Sequence, residues 1–257
     1  MDVTGGGALR RIVAFQEGLA RRSAQRLITI PGGFAVLDNR YPVSYEHNRL
    51  YVTGPVAAEV LLAQAERVLR RRQHRQIAVL HDELGRRLAP GLLAAGYHQE
   101  HDLLMVLAGV PEQAVPGVAV ERVPLAALDR AVARSWTEQY PDVLEAELRQ
   151  LVERRAVTAA ACELSSHAVR VDGEVVAWCH LYRVGGEAQV ENVNTLPAWR
   201  GRGFAKAVVL DAVAAALEAG CDLVFLVADR DDWPQHLYER LGFSPAGEQH
   251  SFLRTRR

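Results

Sequence analysis

Lysine is almost missing from this chain. Of 30 lysines and arginines, Lys206 is the single lysine, and arginine supplies the rest of the positive charge. We read that first as a trace of base composition. Cysteine is scarce too. Cys162, Cys179 and Cys221 are odd in number and widely spaced, which fits neither a disulfide framework nor a Cys-x-x-Cys metal site, so each reads as a small buried apolar residue. The nine histidines show no metal-ligand spacing, and no metal is expected. The formal net charge is only −1, so there is no basic field for nucleic acid; the Arg70–Arg75 run reads as a solvated helix end. No apolar run is long enough to span a bilayer and the N-terminus shows no apolar signal core, so a cytoplasmic protein without a membrane partner is expected. A Walker loop is absent, because no Gly-Lys-Ser/Thr is present at the glycine turn, and so is a full Gly-x-Gly-x-x-Gly.

What is present is enough apolar residue for proper cores. The chain has 257 residues and is 49% hydrophobic, which suits one large or two small domains. Residues 1–7, with three glycines in a row, read as disordered. Residues 8–26 read as a helix, 56–71 as a second and 83–95 as a third that Pro90 and Gly91 should kink or break. Residues 108–117, with Pro111 and Pro116, read as a linker, giving domains at 1–110 and 111–257. The second half then reads strand, two helices broken at Pro141, three antiparallel strands, helix, strand, helix, strand, with Asp172-Gly173 as a hairpin turn. The halves echo one another. Ile77 to Gly96 and Leu223 to Gly242 each run from an apolar strand to a Gly-aromatic pair over the same interval (96 − 77 = 242 − 223). The copies are chemically unequal. Leu92 faces Tyr238, Pro55 faces Gly201, Ala57 faces Gly203 and Glu59 faces Ala205, and a proline or glutamate there would spoil an anion site. The first copy therefore reads as a degenerate one.

The organising stretch is Leu196 to Lys206. A half-buried strand, 189–195, enters it, and an alanine- and leucine-rich helix, 207–217, leaves it. Between them lie Arg200, Gly201, Arg202 and Gly203. A glycine turn feeding a helix leaves backbone N–H groups unpaired at the positive end of the helix dipole, which is a site for phosphate.

Arg200, Gly203 and Ala205 spell Arg-x-x-Gly-x-Ala after a strand ending in Leu-Pro, and Leu237-Tyr238-Glu239-Arg240-Leu241-Gly242-Phe243 follows at the right distance. In these two motifs the chain resembles the GCN5-related N-acetyltransferase (GNAT) family over roughly residues 118–254. The resemblance implies the acyl-CoA N-acyltransferase fold, of the α+β or α/β class, with a mixed, mostly antiparallel sheet flanked by helices, here as two units in tandem. It implies acetyl-CoA as co-substrate, with Val193, Asn194, Thr195, Arg200, Gly201, Arg202, Gly203, Phe204, Ala205, Lys206 and Asp231 as cofactor contacts. Asp231 stands where the family often has asparagine, so a carboxylate replaces the side-chain amide there.

Acetyl transfer to an amine needs a base, an oxyanion site and something to hold the leaving thiolate. Glu191, on the strand before the turn, suits the first task, although a carboxylate near its reference pKa of about 4.3 needs burial or a relaying water. Tyr238, in the second motif, suits the acid or sulfur-contact role that the resemblance implies. Trp136 and Tyr140 are expected at the acceptor site. Ser165-Ser166-His167 has no acid beside it in the sequence, and His180 reads as a core or rim residue. The expected partner is a small-molecule or peptide amine, and the expected assembly a monomer or homodimer. The competing reading is a non-catalytic acyl-CoA-binding regulatory module.

Overall fold

The computed structural model describes residues 5–109 and 115–255. In chain order the elements are α1 (Gly5–Ser23), β1 (Arg26–Ile30), β2 (Gly33–Leu37), β3 (Arg49–Val52), α2 (Ala58–Val68), β4 (His74–Val79), α3 (Asp82–Ala94) and β5 (His98–Leu107). After these come β6 (Glu121–Val123), α4 (Asp129–Gln139), α5 (Glu145–Glu153), α6 (Arg155–Ala159), β7 (Glu163–Val171), β8 (Glu174–Val184), β9 (Glu187–Thr195), α7 (Phe204–Glu218), β10 (Leu223–Asp229), α8 (Pro234–Arg240) and β11 (Phe243–Thr255). They fall into two compact units that are not contiguous in sequence. Unit 1 is Met1–Leu104, Asp229–Asp232 and Ala246–Arg257; unit 2 is Met105–Ala228 and Trp233–Pro245. The boundary expected at 110/111 lies outside the described residues.

In unit 1, β1 and β2 form an antiparallel hairpin, β3 joins β2 antiparallel, β4 runs parallel to β3, and β11 pairs antiparallel with β4. β5 lies next to β11. Parallel neighbours need a crossover, and α2 supplies it. Leu50, Val52, Leu61, Ala65, Leu69, Ile77, Val79, Leu92 and Phe252 make one fully buried cluster. Val13 of α1 packs with Phe34, Val36, Tyr51, Ala78 and Leu80 in another. Alternate residues of β4 thus serve two cores, and all six of its residues are buried. Two expectations fail here. Gly5–Gly7 open a helix rather than a disordered stretch; the penalty on glycine is overridden by the buried face of Ile12, Val13 and Phe15 that the same helix carries. Residues 1–4 lie outside the described residues. Pro90 does not break α3, because it lies on an exposed face where water can satisfy the carbonyl that loses its donor.

In unit 2, β6, β7, β8 and β9 are antiparallel in that order, and β10 is parallel to β9 across α7. The β7–β8 turn uses Asp172 and Gly173 at φ 50° and 81°, the left-handed pair that a tight hairpin needs. Leu128, Ala131, Val132, Ala168, Val175, Trp178 and Leu196 form the core under α4, with Trp136 against it. The neighbouring residue Cys179 points the other way and gives its thiol to the Val208 carbonyl of α7 at 3.2 Å. α7 buries eight residues, so it sits on the sheet along most of its length. Of the expected linker, residues 110–114 lie outside the described residues, while the Ala108 and Gly109 amides both donate to the Gly242 carbonyl, at 2.9 and 3.1 Å.

The sequence echo extends to the elements. α2 and α7 are both crossovers between parallel strands, and their first residues are as far apart as Gly96 and Gly242 (204 − 58 = 242 − 96). Both glycines are left-handed, at φ 81° and 93°. Among the described residues, no helix is long and apolar enough to cross a membrane.

Candidate functional site

Unit 2 contains an opening in its own sheet. The parallel register of β9 with β10 runs from Glu187↔Leu223 to Val190↔Leu226 and stops there. Glu191 is the next residue. On the other side of β9 the antiparallel register with β8 slips, from Trp178↔Asn194 to His180↔Glu191. Two steps on β8 oppose three on β9, which is a β-bulge, and it bends the strand and re-aims its amides. Asn192 sits in the bulge at φ 53°, a left-handed conformation that asparagine tolerates better than most residues. Val193 is in the bulge as well. Asn194 turns its side-chain amide to the Ser135 hydroxyl of α4 at 3.0 Å, tying the strand to the helix that also carries Trp136.

Past Thr195 the chain makes a short 3-10 turn, Pro197–Trp199, and then the glycine turn. Gly201 is at φ 74° and Gly203, the residue that caps α7, is at φ 78°. No side chain caps α7. The first N–H groups of a helix have no carbonyl within it to bind, so the start of α7 at Phe204, Ala205 and Lys206 is a ready anion site. The two arginines brace the turn. Arg200 donates its Nε to the Thr195 carbonyl at 3.2 Å, and the Arg202 guanidinium lies 4.6 Å from the centre of the Trp199 ring. The Trp199 and Phe204 rings stand 6.4 Å apart.

Three strands bring polar side chains into one row. Ser166 of β7, His180 of β8 and Glu191 of β9 are cross-strand partners on one face. The Ser166 hydroxyl meets His180 Nδ1 at 2.9 Å. The Gln189 amide donates to Glu191 Oε2 at 2.5 Å, and Tyr182 stacks along His180 with 6.1 Å between centroids. The Asn192 amide reaches the Tyr182 hydroxyl at 3.3 Å. His180 is buried, in keeping with the core-or-rim reading of the sequence, and it also holds a polar partner there. Strand alternation alone gives its face, but its partners depend on register.

Tyr238 of α8 is 7% exposed, edge-on to Phe243. Burial, then the Glu191 carboxylate, then Cys179 push its phenol well above the ordinary value near 10. The influence of Glu191 puts the two expected catalytic groups in one neighbourhood. Cys179 is fully buried and its thiol is likewise pushed up, so it is no nucleophile. On the α7 side, Ser165, His167 and Asp211 line up. Ser165 Oγ lies 2.9 Å from His167 Nε2, and His167 Nδ1 lies 2.6 Å from Asp211 Oδ2. The acid missing from the local sequence thus comes from α7, and the pair fastens that helix to β7. Burial lowers the pKa of His167.

Trp136 and Tyr140 stack with 5.6 Å between ring centroids at the end of α4. Tyr140 is 50% exposed and Leu144 beyond it 64%, an apolar lip in water. Asp231 belongs to unit 1, where its amide donates to Asp229 Oδ1 at 2.8 Å.

The family model described as Acetyltransferase (GNAT) family matches residues 125–243. Among solved structures, a functionally unknown conserved protein from Staphylococcus epidermidis aligns with TM-score 0.69 at 14% identity, over 90% of this chain and 94% of that one. A GCN5-related N-acetyltransferase from Kribbella flavida aligns with TM-score 0.63 at 20% identity, over 95% and 94%. A tandem GNAT protein from the clavulanic acid biosynthesis pathway aligns with TM-score 0.55 at 13% identity, over 100% and 96%. At such identities the likeness is one of fold. No curated protein matches by sequence.

Proposed function

Residues 125–243 form a domain of the acetyltransferase (GNAT) family, and from that premise we propose that the protein moves an acetyl group from acetyl-CoA to a primary amine of a small molecule or peptide by direct attack. One observation carries the reading. The β9–β10 ladder stops at Val190, a bulge follows, and the same strand leads into the left-handed glycines at the start of α7. An opened strand edge offers backbone pairing to the pantetheine arm, as an added strand would take it. The Arg200 amide is given to the Pro197 carbonyl at 3.3 Å, so the amides from Gly201 to Ala205 take the pyrophosphate, with the guanidinium groups outside them.

In the proposed reaction the acceptor gives a proton to Glu191, directly or through one water, and Gln189 holds the carboxylate in place. The amine lone pair forms a C–N bond to the thioester carbonyl carbon, and the carbonyl electrons move onto oxygen. Backbone amides of the 192–193 bulge hold that oxyanion. The nitrogen, cationic once it has bonded to carbon, then gives its second proton to water; as the carbonyl re-forms, the C–S bond breaks and its electron pair stays on sulfur. Tyr238 donates a hydrogen bond to the departing thiolate but keeps its proton. With the phenol above 10 and the thiol near 8.5, full transfer would run uphill by more than about 2 kcal/mol. Solvent then protonates the thiolate, and Glu191 returns its proton to water. With Cys179 buried and its thiol pushed up, no acyl-cysteine intermediate is proposed.

The aromatic pair Trp136–Tyr140, next to Ser135 and its bond to Asn194, is the proposed wall of the acceptor site. Unit 1 is proposed to bind no CoA. Its crossover helix α2 is capped by Ala57 at φ −79°, where unit 2 has Gly203 at φ 78°, and Pro55 and Glu59 flank that start. The test is calorimetric titration with CoA, followed by thiol release from acetyl-CoA over an amine panel. One CoA per chain with turnover on an amine is expected. Absence of CoA binding would sink the proposal, and tight binding without turnover on any amine would favour the regulatory module.

A further inference from the structure

Unit 1 gathers a second set of polar side chains, unrelated to acetyl transfer. β11 presents Glu248 and His250, two residues apart and so on one face. Its neighbour β5 presents His101, and α3 contributes Asp82 in its first turn and Arg86 one turn later. His250 Nε2 lies 3.0 Å from Asp82 Oδ1, and His101 Nε2 lies 2.8 Å from Glu248 Oε2. The two imidazoles stack with centroids 4.3 Å apart. One donor atom from each of Asp82, His101 and His250 falls within a span of 4.8 Å.

We propose that Asp82, His101 and His250, with Glu248 beside them, bind one divalent transition-metal ion of the zinc type. Two imidazoles with carboxylate oxygens suit a borderline ion; magnesium and calcium prefer oxygen alone. Bonds of 2.0–2.2 Å in a tetrahedron place ligand atoms about 3.4 Å apart, so the set must close by about 1.4 Å at most. The buried member of the set is already fixed. His250 is 2% exposed, and its Nδ1 meets the Gln99 amide at 2.8 Å. The first turn of α3 rests on its ring so closely that a Cβ on Gly85 would lie 1.9 Å from Cδ2. Turning the Gln99 amide presents its carbonyl to Nδ1–H and leaves Nε2 as a ligand, the outer-shell arrangement common for metal-bound imidazole. The movable members are Asp82 and His101, at 32% and 21% side-chain exposure.

Guanidinium groups now stand where the cation would. Arg86 bridges the carboxylates, with Nε 2.9 Å from Asp82 Oδ1 and Nη2 3.4 Å from Glu248 Oε2. Arg230 Nη1 lies 3.1 Å from Glu248 Oε2 and 3.3 Å from His101 Nδ1. Both arginine side chains are largely in water, at 64% and 46% exposure. Such exposed pairs contribute little, so a coordinating ion displaces them. Bound metal would then clamp α3 to β11 and β5.

The test uses the full chain without a histidine tag, titrated with zinc chloride, and the visible spectrum of the cobalt(II)-loaded protein. One ion per chain is expected, with tetrahedral cobalt bands. His101→Ala and Asp82→Asn should each weaken binding at least about tenfold. The near-isosteric Asp82→Asn guards against misfolding as the cause, with circular dichroism as the check. Arg86→Ala removes the competing cation and should tighten zinc binding several-fold. A purely structural tether predicts no such gain. Failure to bind zinc, or zinc binding that survives both ligand substitutions unchanged, overturns the proposal.

Discussion

Gly201→Ala isolates the phosphate turn from every other property of the fold. Gly201 is left-handed at φ 74°, is exposed, and a Cβ there would meet nothing within 4 Å. The substitution therefore adds backbone strain and no clash. An L-residue in that region costs about 1–2 kcal/mol. An unpacked turn relaxes to escape the strain, and CoA must then restore the strained form in order to bind. The cost appears in affinity, as a loss of about 5–30-fold. Gly173→Ala is the matched control, also left-handed at φ 81° with open space, but locked between β7 and β8. There the cost appears in stability, as a fall of about 2–8 °C in Tm. Calorimetric CoA titration and thermal melts of the two variants read the pair. Gly201→Ala should keep its Tm and lose affinity; Gly173→Ala should do the reverse. If Gly201→Ala binds CoA within twofold of the parent, the amides of that turn are not the phosphate cradle.

Glu191→Gln should lower kcat by roughly 10²-fold or more, with recovery on raising the pH toward the pKa of the acceptor amine; unchanged kcat would remove the base. Tyr238→Phe keeps the edge-on packing against Phe243, so it should leave CoA affinity intact while kcat falls about tenfold, read by single-turnover thiol release. Asp102 has its pKa pushed up to about 6, mainly by burial, so its contribution to stability is whole below about 3.9 and is lost as pH rises through 6. Asp102→Asn should therefore stabilise the protein by about 2 kcal/mol at pH 8 and have little effect at pH 4, measured by urea titration. Gly85→Ala drives a Cβ into the buried His250 ring and should cost at least about 1–3 kcal/mol of stability, where an exposed helical glycine would gain from alanine.

The parts of the site that were legible are local in the chain. The glycines at 201 and 203 and the Tyr238–Phe243 motif announce themselves within a few residues, and β9 ends at Thr195, where alternation puts it, though it begins two residues before the alternating stretch, at Glu187. Register is what sequence does not carry. The bulge at Asn192 exists because β8 and β9 advance unequally, and no residue in that stretch signals it. The Ser166–His180–Glu191 row needs three strands aligned, and Asp211 finds His167 from 44 residues away on another element. The Asp82–His250 pair spans 168 residues, so spacing rules for metal ligands have nothing to act on. Pro90 shows the opposite failure, a strong local signal overruled because the helix turns that residue toward water.

The pairing of β4 with residues 250–255 has a consequence for biosynthesis. All six residues of β4 are buried, yet one of its two neighbouring strands is translated some 170 residues later (250 − 79 = 171). Until then the nascent N-terminal portion offers a strand with an open ladder and the apolar run Ile77-Ala78-Val79, the kind of edge that recruits other chains. Unit 1 is thus made first but closed last, and a fragment cut at residue 110 would expose that edge for good.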